Sequence, residues 1–391
     1  MRLSSLDVLR GLTVAFMILV NNPGDWQHIY ASLTHAHWHG LTPTDLVFPF
    51  FLFAVGNAMA ITLPPLAAKG NAVFWSKTLK RVALIFGLGV LLNWAPFVRY
   101  TEAGLSFIPW ADPVDPLRGV RIMGVLQRIA LCYLLAAGVY KAGGIKAVGF
   151  SIVGLAVLYY CVSVAGLGEA SHDSFSKEGF FGKAVDVAVL GRAHLHQPAE
   201  GFDPEGLAGT LSATLNVLLG MVAGWFLVRA PIAMRAPAAL RVVGLGAGLL
   251  ALGYGLSTFW PINKQLWTGS FAFVTSGYAC LVLAGLFWLI DVKSIRTPIL
   301  PVLTAFGRNP LFIYLLAELS PKIIKLFRWQ TGISAEGKPE YLHALKWYSR
   351  DVCAPLFADL SMGSLLYALT MVMLFGLVAW YMQRRGVYVR V

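Results

Sequence analysis

Long apolar runs decide what this chain can fold into. Several stretches reach roughly 18 residues with almost no charge, which is the length that a helix needs to cross a bilayer. Only 13% of the 391 residues are charged, against about a quarter in soluble proteins, and the mean hydropathy is +0.67. The pattern excludes a soluble globular enzyme, a disordered chain and a fibrous repeat. The net charge of +12 is dispersed between the apolar runs, so it does not indicate binding to nucleic acid.

The apolar runs predict an all-α polytopic membrane protein with about ten transmembrane helices in one bundle. The expected spans are residues 6–22, 44–64, 82–97, 122–140, 147–167, 209–228, 242–260, 270–290, 298–318 and 358–383. No short internal repeat stands out, so residues 1–391 are expected to form a single transmembrane domain.

The distribution of Lys and Arg predicts the orientation. With the N-terminus in the cytoplasm, the cytoplasmic segments hold 15 basic residues and one acid, whereas the opposite loops hold 13 basic residues and 14 acids. Cytoplasmic loops of membrane proteins carry an excess of basic residues. Both termini are therefore expected in the cytoplasm, and all eight histidines fall on the opposite side.

Four of those histidines lie in one short loop, residues 23–43, which has no Lys or Arg. Thr42 and Pro43 suit the start of the next helix, and Asp45 falls in its first turn, near the histidines. One interpretation makes Asp45 a helix-start acid and the histidines interfacial polar residues. The other makes one histidine a general base that Asp45 orients, with an Asn amide donating to a developing oxyanion.

A metal site is a further alternative for this loop. His35, His37 and His39 alternate, so an extended backbone would place all three on one side, where they could bind zinc. Trp38 and Gly40 interrupt such a site, and Asp45 is the only nearby carboxylate. We rank this alternative below the general base and expect no metal.

Three arginines fall within predicted spans. Arg308 lies about ten residues into its span, or roughly 15 Å, which predicts a position near the bilayer midplane. Charged residues in such positions are costly and indicate function. Arg128 and Arg308 are expected to contact phosphate groups or buried carbonyls. Arg10 either binds a ligand or extends to the interface while pairing with Asp7, three residues earlier.

Several motifs resemble a known family. They are Leu6-Asp7-Val8-Leu9-Arg10-Gly11, Val20-Asn21-Asn22-Pro23-Gly24, His35-Ala36-His37-Trp38-His39-Gly40, Asp45-Leu46-Val47-Phe48-Pro49-Phe50-Phe51, Arg121-Ile122-Met123-Gly124-Val125-Leu126-Gln127-Arg128-Ile129, Gly206-Leu207-Ala208-Gly209-Thr210-Leu211, Pro261-Ile262-Asn263-Lys264-Gln265-Leu266-Trp267-Thr268 and Gly307-Arg308-Asn309-Pro310-Leu311. Together they resemble the heparan-α-glucosaminide N-acetyltransferase family, which comprises a lysosomal transmembrane enzyme and its bacterial homologues.

The resemblance implies transfer of acetyl from cytoplasmic acetyl-CoA to the amine of a glucosamine-type sugar at the periplasmic side of a bacterial inner membrane. It implies the catalytic residues His35, Asn21 and Asp45. Expected contacts with acetyl-CoA are Arg10, Arg128 and Arg308. Expected contacts with the sugar are Asn22, Trp38, Lys264 and Trp267, although Lys264 and Trp267 also suit ordinary interfacial anchors.

Two other functions stay open at this point. An amino-sugar transporter would also have about ten spans and intramembrane arginines, but it would place its site near the midplane and not in an interfacial loop. An O-acetyltransferase acting on a glycan would use the same residues. The expected partners are acetyl-CoA, the sugar and the lipid bilayer, with a homodimer left open and no nucleic acid.

Overall fold

Helices make up most of the residues that the computed structural model describes, which are 3–101, 104–165, 172–333 and 339–389. The helices are α1 (Ser4–Asn21), α2 (Val47–Ala67), α3 (Asn71–Trp94), α4 (Val125–Val164), α5 (Gly182–Leu190), α6 (Leu207–Val228), α7 (Arg235–Leu256), α8 (Gly269–Phe287), α9 (Ile299–Arg308), α10 (Pro310–Ile324), α11 (Ala344–Trp347) and α12 (Leu360–Arg384). Two antiparallel hairpins pair β1 (Val98–Thr101) with β2 (Gly104–Phe107), and β3 (Arg328–Ile333) with β4 (Pro339–His343). The predicted helical membrane fold is confirmed.

The count of ten spans is not confirmed. Among the described residues, seven helices are long and apolar enough to cross a membrane, and an eighth span results if α9 and α10 are counted as one bent pair. Two changes account for the difference. The segment 82–97 falls mostly within α3, whose first half carries three basic residues. The described parts of the segments 122–140 and 147–167 fall mostly within one 40-residue helix, α4. Non-helical backbone at Gly143 and Gly144 interrupts α4 between them.

Glycines allow the closest contacts between the helices. On α2, a Cβ at Gly56 would overlap the backbone of α6 at Val217, and on α6 a Cβ at Gly220 would overlap the backbone of α2 at Phe53. Small residues let membrane helices approach until their backbones touch, which increases van der Waals contact where lipid supplies no hydrophobic driving force. These two contacts fix α2, which follows the histidine-rich loop, against α6.

A sharp bend separates α9 from α10. The two helices meet at Asn309 at an angle of 85°, and Gly307 packs directly on the backbone of α1 at Asp7. Arg308 therefore lies beside the first turns of α1. The predicted midplane position assumed one straight helix through residues 298–318, and the bend makes that assumption wrong.

The C-terminal segment folds back onto the bend. The side chain of Asn309 donates from Nδ2 to the carbonyl of Val387 at 3.0 Å and accepts from the backbone N–H of Val389 at 2.9 Å. The residues after α12 are thereby held against the start of α10, next to Arg308.

Candidate active site

The loop between α1 and α2 is organised around the carboxylate of Asp45. A short 3-10 helix, Pro43–Leu46, begins in a capping box formed by Thr42 and Asp45. The Oδ2 atom of Asp45 accepts from the backbone N–H groups of Thr42 at 3.0 Å and Ala36 at 3.1 Å. The side chain is only 1% exposed. A buried carboxylate must be satisfied by donors, so the chain wraps around Asp45 and brings residue 35 to its other oxygen.

His35 and Asp45 form a hydrogen-bonded pair. The Nδ1 atom of His35 lies 2.7 Å from Oδ1 of Asp45. A carboxylate accepts and does not donate, so this bond places the hydrogen on Nδ1 and leaves Nε2 as a proton acceptor. The imidazole is 54% exposed, although Asp45 beneath it is buried. The predicted pairing of these two residues is present in the structure.

Lys264 contacts both members of this pair. It lies between α7 and α8, and its Nζ atom is 3.0 Å from Nδ1 of His35 and 3.4 Å from Oδ1 of Asp45. Burial lowers the pKa of its ammonium group, while the negative charges of Asp45 and Glu205 oppose that shift. The sequence predicted a sugar contact or an interfacial anchor here, and neither expectation included the contact with His35.

One cavity of about 700 Å³ extends along α1 and α2. Its lining residues run from Leu3 to Asn21 on α1, a helix about 27 Å long at 1.5 Å per residue. We call one end the His35 end; it is lined by Asn21, His35, Thr44, Glu205 and Lys264. We call the other the arginine end; it is lined by Asp7, Arg10, Arg81, Arg308 and Val389. Between the ends the lining is mostly apolar, from residues such as Met17, Phe51 and Met59.

The two predicted asparagines differ in position. Asn21 lines the cavity and donates from Nδ2 to Oε1 of Glu318 on α10 at 3.2 Å. Its amide has a second N–H that this bond does not use. Asn22 donates to the carbonyl of Ile18 at 2.9 Å, which satisfies the last turn of α1, and it is not among the residues that line the cavity.

At the arginine end, two predicted residues are joined by one that the sequence analysis missed. Arg10 pairs with Asp7, and Arg308 donates to the hydroxyl of Tyr388 at 3.1 Å. Arg81 on α3 also lines the cavity, with its guanidinium 4.9 Å from the ring centroid of Tyr133. The predicted span begins at residue 82, so the sequence assigns Arg81 to a cytoplasmic loop. A helix that begins at residue 71 instead places Arg81 one turn before Ile85, on the same face of α3.

Arg128 and Trp267 lie behind the cavity and do not line it. Arg128 is buried, donates from Nη2 to the carbonyl of Gly206 at 3.0 Å, and stacks on Trp267 at 5.0 Å. The indole of Trp267 is itself buried and donates to Oδ1 of Asn216 at 2.9 Å. The two residues therefore support the start of α6. Arg128 contacts a buried carbonyl, which is one of its two expected partners, and neither residue lines the cavity.

Trp38 also packs away from the cavity. Its indole N–H donates to the carbonyl of Phe175 at 2.9 Å, and its ring lies 6.1 Å from that of Phe202. It is not among the cavity-lining residues. These contacts attach the histidine-rich loop to the segment between α4 and α6.

Glu205 is a second residue that the sequence analysis missed. It immediately precedes Gly206, where the matching motif begins, and it lines the His35 end. Arg121 forms a two-bond contact with Asp203 and also pairs with Glu205. Burial would raise the pKa of Glu205, but the positive charges of Arg121 and Arg128 outweigh that effect and lower it. Glu205 therefore presents a carboxylate to the cavity.

The described residues contain no group of three or more His, Cys, Asp or Glu side chains that could hold a metal ion. His35, His37 and His39 accordingly do not form the three-ligand cluster considered above. His39 instead lies against Asn263, whose Nδ2 atom is 3.3 Å from its Nδ1.

The sequence is similar to those of known proteins. Residues 2–173 match the family model described as heparan-alpha-glucosaminide N-acetyltransferase, catalytic. The chain is 26% identical to the heparan-alpha-glucosaminide N-acetyltransferase of Mus musculus and 27% identical to that of Homo sapiens, each over 84% of this chain. The chain is similar to these acetyltransferases over most of its own length. The resemblance inferred from the motifs is confirmed.

The match covers part of the known proteins. The aligned regions make up 55% of the mouse and 54% of the human heparan-alpha-glucosaminide N-acetyltransferase, so the chain spans about half the length of these relatives. The region of this chain that the family model matches contains Asn21, His35 and Asp45, whereas Lys264 and Arg308 lie beyond its last matched residue.

Proposed function

We propose that this protein is a membrane acetyltransferase that moves acetyl from acetyl-CoA to the amine of a glucosamine-type sugar. The observation that carries the proposal is the His35–Asp45 pair at one end of a cavity whose other end is lined by arginines. The similarity to heparan-alpha-glucosaminide N-acetyltransferases supports the same reaction class.

His35 acts as the general base. The sugar amine attacks the thioester carbonyl as its nitrogen loses a proton to Nε2 of His35, while Asp45 holds the ring through Nδ1. The C–S bond then breaks, and the departing CoA sulfur takes the proton from the imidazolium to give free CoA. A positioned base of this kind contributes about 10²- to 10⁴-fold to a rate.

Asn21 stabilises the negative charge that develops on the carbonyl oxygen. Glu318 accepts one N–H of the Asn21 amide and so fixes its plane, which leaves the second N–H to donate to the oxyanion. Removing one such donor typically costs about 10²- to 10³-fold in kcat. Thr44 and Glu205 line the same end of the cavity and face the acceptor sugar.

The arginine end holds the nucleotide part of acetyl-CoA. Arg10, Arg81 and Arg308 come from three different helices, and Asp7 is the one acid among the described residues lining this end. Arginine suits phosphate because its planar fork makes paired hydrogen bonds. The acyl-bearing arm of CoA then extends along the apolar middle of the cavity to His35. Arg128 supports the site from behind.

The basic excess of the predicted cytoplasmic segments supports a cytoplasmic position for the arginine end. In this arrangement a bacterial inner membrane would supply acetyl-CoA from the cytoplasm, where both termini lie, and the sugar would be acetylated at the periplasmic face.

The first test is acetyl transfer by the purified protein in lipid nanodiscs. Labelled acetyl-CoA and glucosamine are expected to yield N-acetylglucosamine with wild-type protein and none above background with His35→Gln. Uptake of glucosamine into sealed vesicles without acetylation would favour the transporter instead. Acetylation of a glycan that has hydroxyl groups but no amine would favour O-acetyl transfer.

Sidedness is tested in sealed vesicles of known orientation, with acetyl-CoA supplied to one face only. Acetylation of a membrane-impermeant sugar on the opposite face is expected. Transfer that requires both substrates on the same face would contradict the passage through the cavity, while leaving the reaction itself intact.

A further inference from the structure

The contact between Lys264 and the His35–Asp45 pair presents a conflict of hydrogen bonds. The same Nδ1 atom of His35 lies 2.7 Å from an acceptor, Oδ1 of Asp45, and 3.0 Å from a donor, Nζ of Lys264. A single ring nitrogen satisfies one of these partners at a time, because it either carries a hydrogen or accepts one. With Nδ1 donating to Asp45, Lys264 still contacts both partners, because its Nζ atom lies 3.4 Å from Nε2 of His35 and 3.4 Å from Oδ1 of Asp45. A carboxylate oxygen accepts more than one hydrogen bond, so Lys264 contacts the pair without displacing His35.

The charges at this site nearly cancel. Asp45 is negative and Lys264 is positive, so an uncharged His35 leaves the three-residue cluster neutral. Protonation of His35 would place a second cation about 3 Å from the first, and like charges at such a distance disfavour each other. The repulsion is weaker than in a fully buried site because the imidazole is 54% exposed. Without Lys264, the buried carboxylate would instead attract a proton to the imidazole.

The other charged groups near His35 do not replace Lys264. Glu205, from the segment before α6, lines the same end of the cavity, and its carboxylate is already paired with Arg121. Glu318 on α10 accepts from the amide of Asn21. The remaining titratable residues of the loop are Asp25, which pairs with His28, Tyr30, which donates to Asp359, and the histidines. His37 and His39 lie on either side of Trp38. Lys264 is the cation in contact with the pair among the described residues.

We propose that Lys264 is a positioning residue whose positive charge keeps His35 unprotonated, so that His35 can accept a proton from the acceptor amine at neutral pH. The inference rests on the role of His35 in the proposed function. Burial also lowers the pKa of Lys264, while Asp45 counteracts that effect, so the pair with Asp45 is what retains the charge.

The test compares pH–rate profiles of three variants with wild type. Lys264→Met removes the charge and keeps an apolar chain of similar length, and the acidic limb of the profile is expected to move up by about one pH unit. Its rate would then be about tenfold below wild type on that limb and would recover at high pH. Lys264→Arg keeps the charge and is expected to keep the limb in place. Lys346→Met, at an exposed lysine of α11 outside the cavity, is the matched control and leaves the profile unchanged.

A second measurement follows the protonation of His35 directly. In protein with ¹³C-labelled histidine, the resonance that disappears in His35→Gln belongs to His35, and its titration midpoint is expected to rise in Lys264→Met and return in Lys264→Arg. A uniform loss of activity at every pH, with an unmoved midpoint, would overturn the inference and assign Lys264 to substrate binding or structure.

The two measurements separate the inference from the proposed function. If the titration midpoint of His35 moves in Lys264→Met but the wild-type protein transfers no acetyl, Lys264 controls His35 and the protein is not the proposed acetyltransferase. Normal acetyl transfer by wild type with a midpoint that does not respond to Lys264→Met removes the inference alone.

Discussion

Replacing Asp45 with Asn tests how the carboxylate orients His35. In wild type, Oδ1 faces Nδ1 of His35, while Oδ2 accepts from the backbone N–H groups of Ala36 and Thr42. An amide has only one oxygen. If that oxygen faces His35, the NH₂ group faces two backbone N–H donors and cannot accept their hydrogen bonds. If the oxygen faces the backbone, the NH₂ group donates to Nδ1 of His35. The ring hydrogen then moves to Nε2, so Nε2 cannot accept a proton from the substrate.

The magnitude follows from the two backbone hydrogen bonds. Each contributes about 1 kcal/mol net, so the inactive orientation is favoured by about 2 kcal/mol. Since about 1.4 kcal/mol is a factor of ten, the active orientation would be populated roughly once in thirty. Lys264 lies 3.4 Å from Oδ1 and favours an oxygen at that position, which opposes the inactive orientation. We therefore expect Asp45→Asn to lower kcat by up to about thirtyfold, which is less than the loss in His35→Gln because the base itself remains.

The assay is steady-state acetyl transfer to glucosamine at saturating acetyl-CoA, and the same loop supplies a matched control. Asp25 pairs with Nδ1 of His28 at 2.7 Å and accepts from the backbone N–H of Gln27, but it does not line the cavity. Asp25→Asn is expected to keep wild-type kcat. Wild-type kcat in Asp45→Asn, or an equal loss in both variants, would refute the orientation argument and leave Asp45 as a helix-start residue.

Three further predictions concern the base, the arginine end and a buried acid. His35→Gln should lower kcat by about 10²- to 10⁴-fold with an unchanged thermal unfolding temperature; activity near wild type would exclude His35 as the base. Arg308→Leu should raise KM for acetyl-CoA about tenfold or more with little change in kcat. The control Lys80→Leu, at an exposed position of α3, should change neither constant. Equal effects of the two substitutions would argue against a phosphate site at Arg308. Burial raises the pKa of Asp186 to about 6, although the hydrogen bond from the backbone N–H of Leu207 acts to lower it. A group whose pKa is raised by folding stabilises the folded protein below about pH 4, and this stabilisation is lost as the pH rises through 6. Asp186→Asn should therefore unfold at a higher temperature than wild type at pH 8 and at the same temperature near pH 4, and a difference that does not vary with pH would contradict this explanation.

The sequence places Asp45 near the histidines because the geometry is local, and the family resemblance selects His35 among them. Ten residues separate the two, and the Thr42–Pro43 start of a helix places Asp45 in a first turn whatever the rest of the chain does. Apolar length predicts the helices for a similarly local reason, since the bilayer sets how many residues a span requires.

Contacts between segments that are distant in the chain could not be predicted from local sequence patterns. Lys264 reaches His35 across 229 positions, and hydropathy does not reveal which face of α4 carries Arg128 toward Trp267 and away from the cavity. The bend between α9 and α10 was not predicted, because Asn309 interrupts a stretch that composition alone reads as one apolar run. Arg81 was missed because α3 begins eleven residues before the apolar segment that predicted it.

The order of synthesis gives the cavity a consequence for biogenesis. Its walls include Leu3 before α1 and Val389 after α12, and the C-terminal segment is held there by Asn309. A nascent chain that has inserted α1 and α2 already contains His35 and Asp45, but Lys264 and the closing segment emerge much later. Ribosome-stalled or C-terminally truncated chains would thus carry the reactive pair without the complete cavity for the acyl donor. Acetyl transfer is therefore expected to begin only after α12 and the segment that follows it are in place.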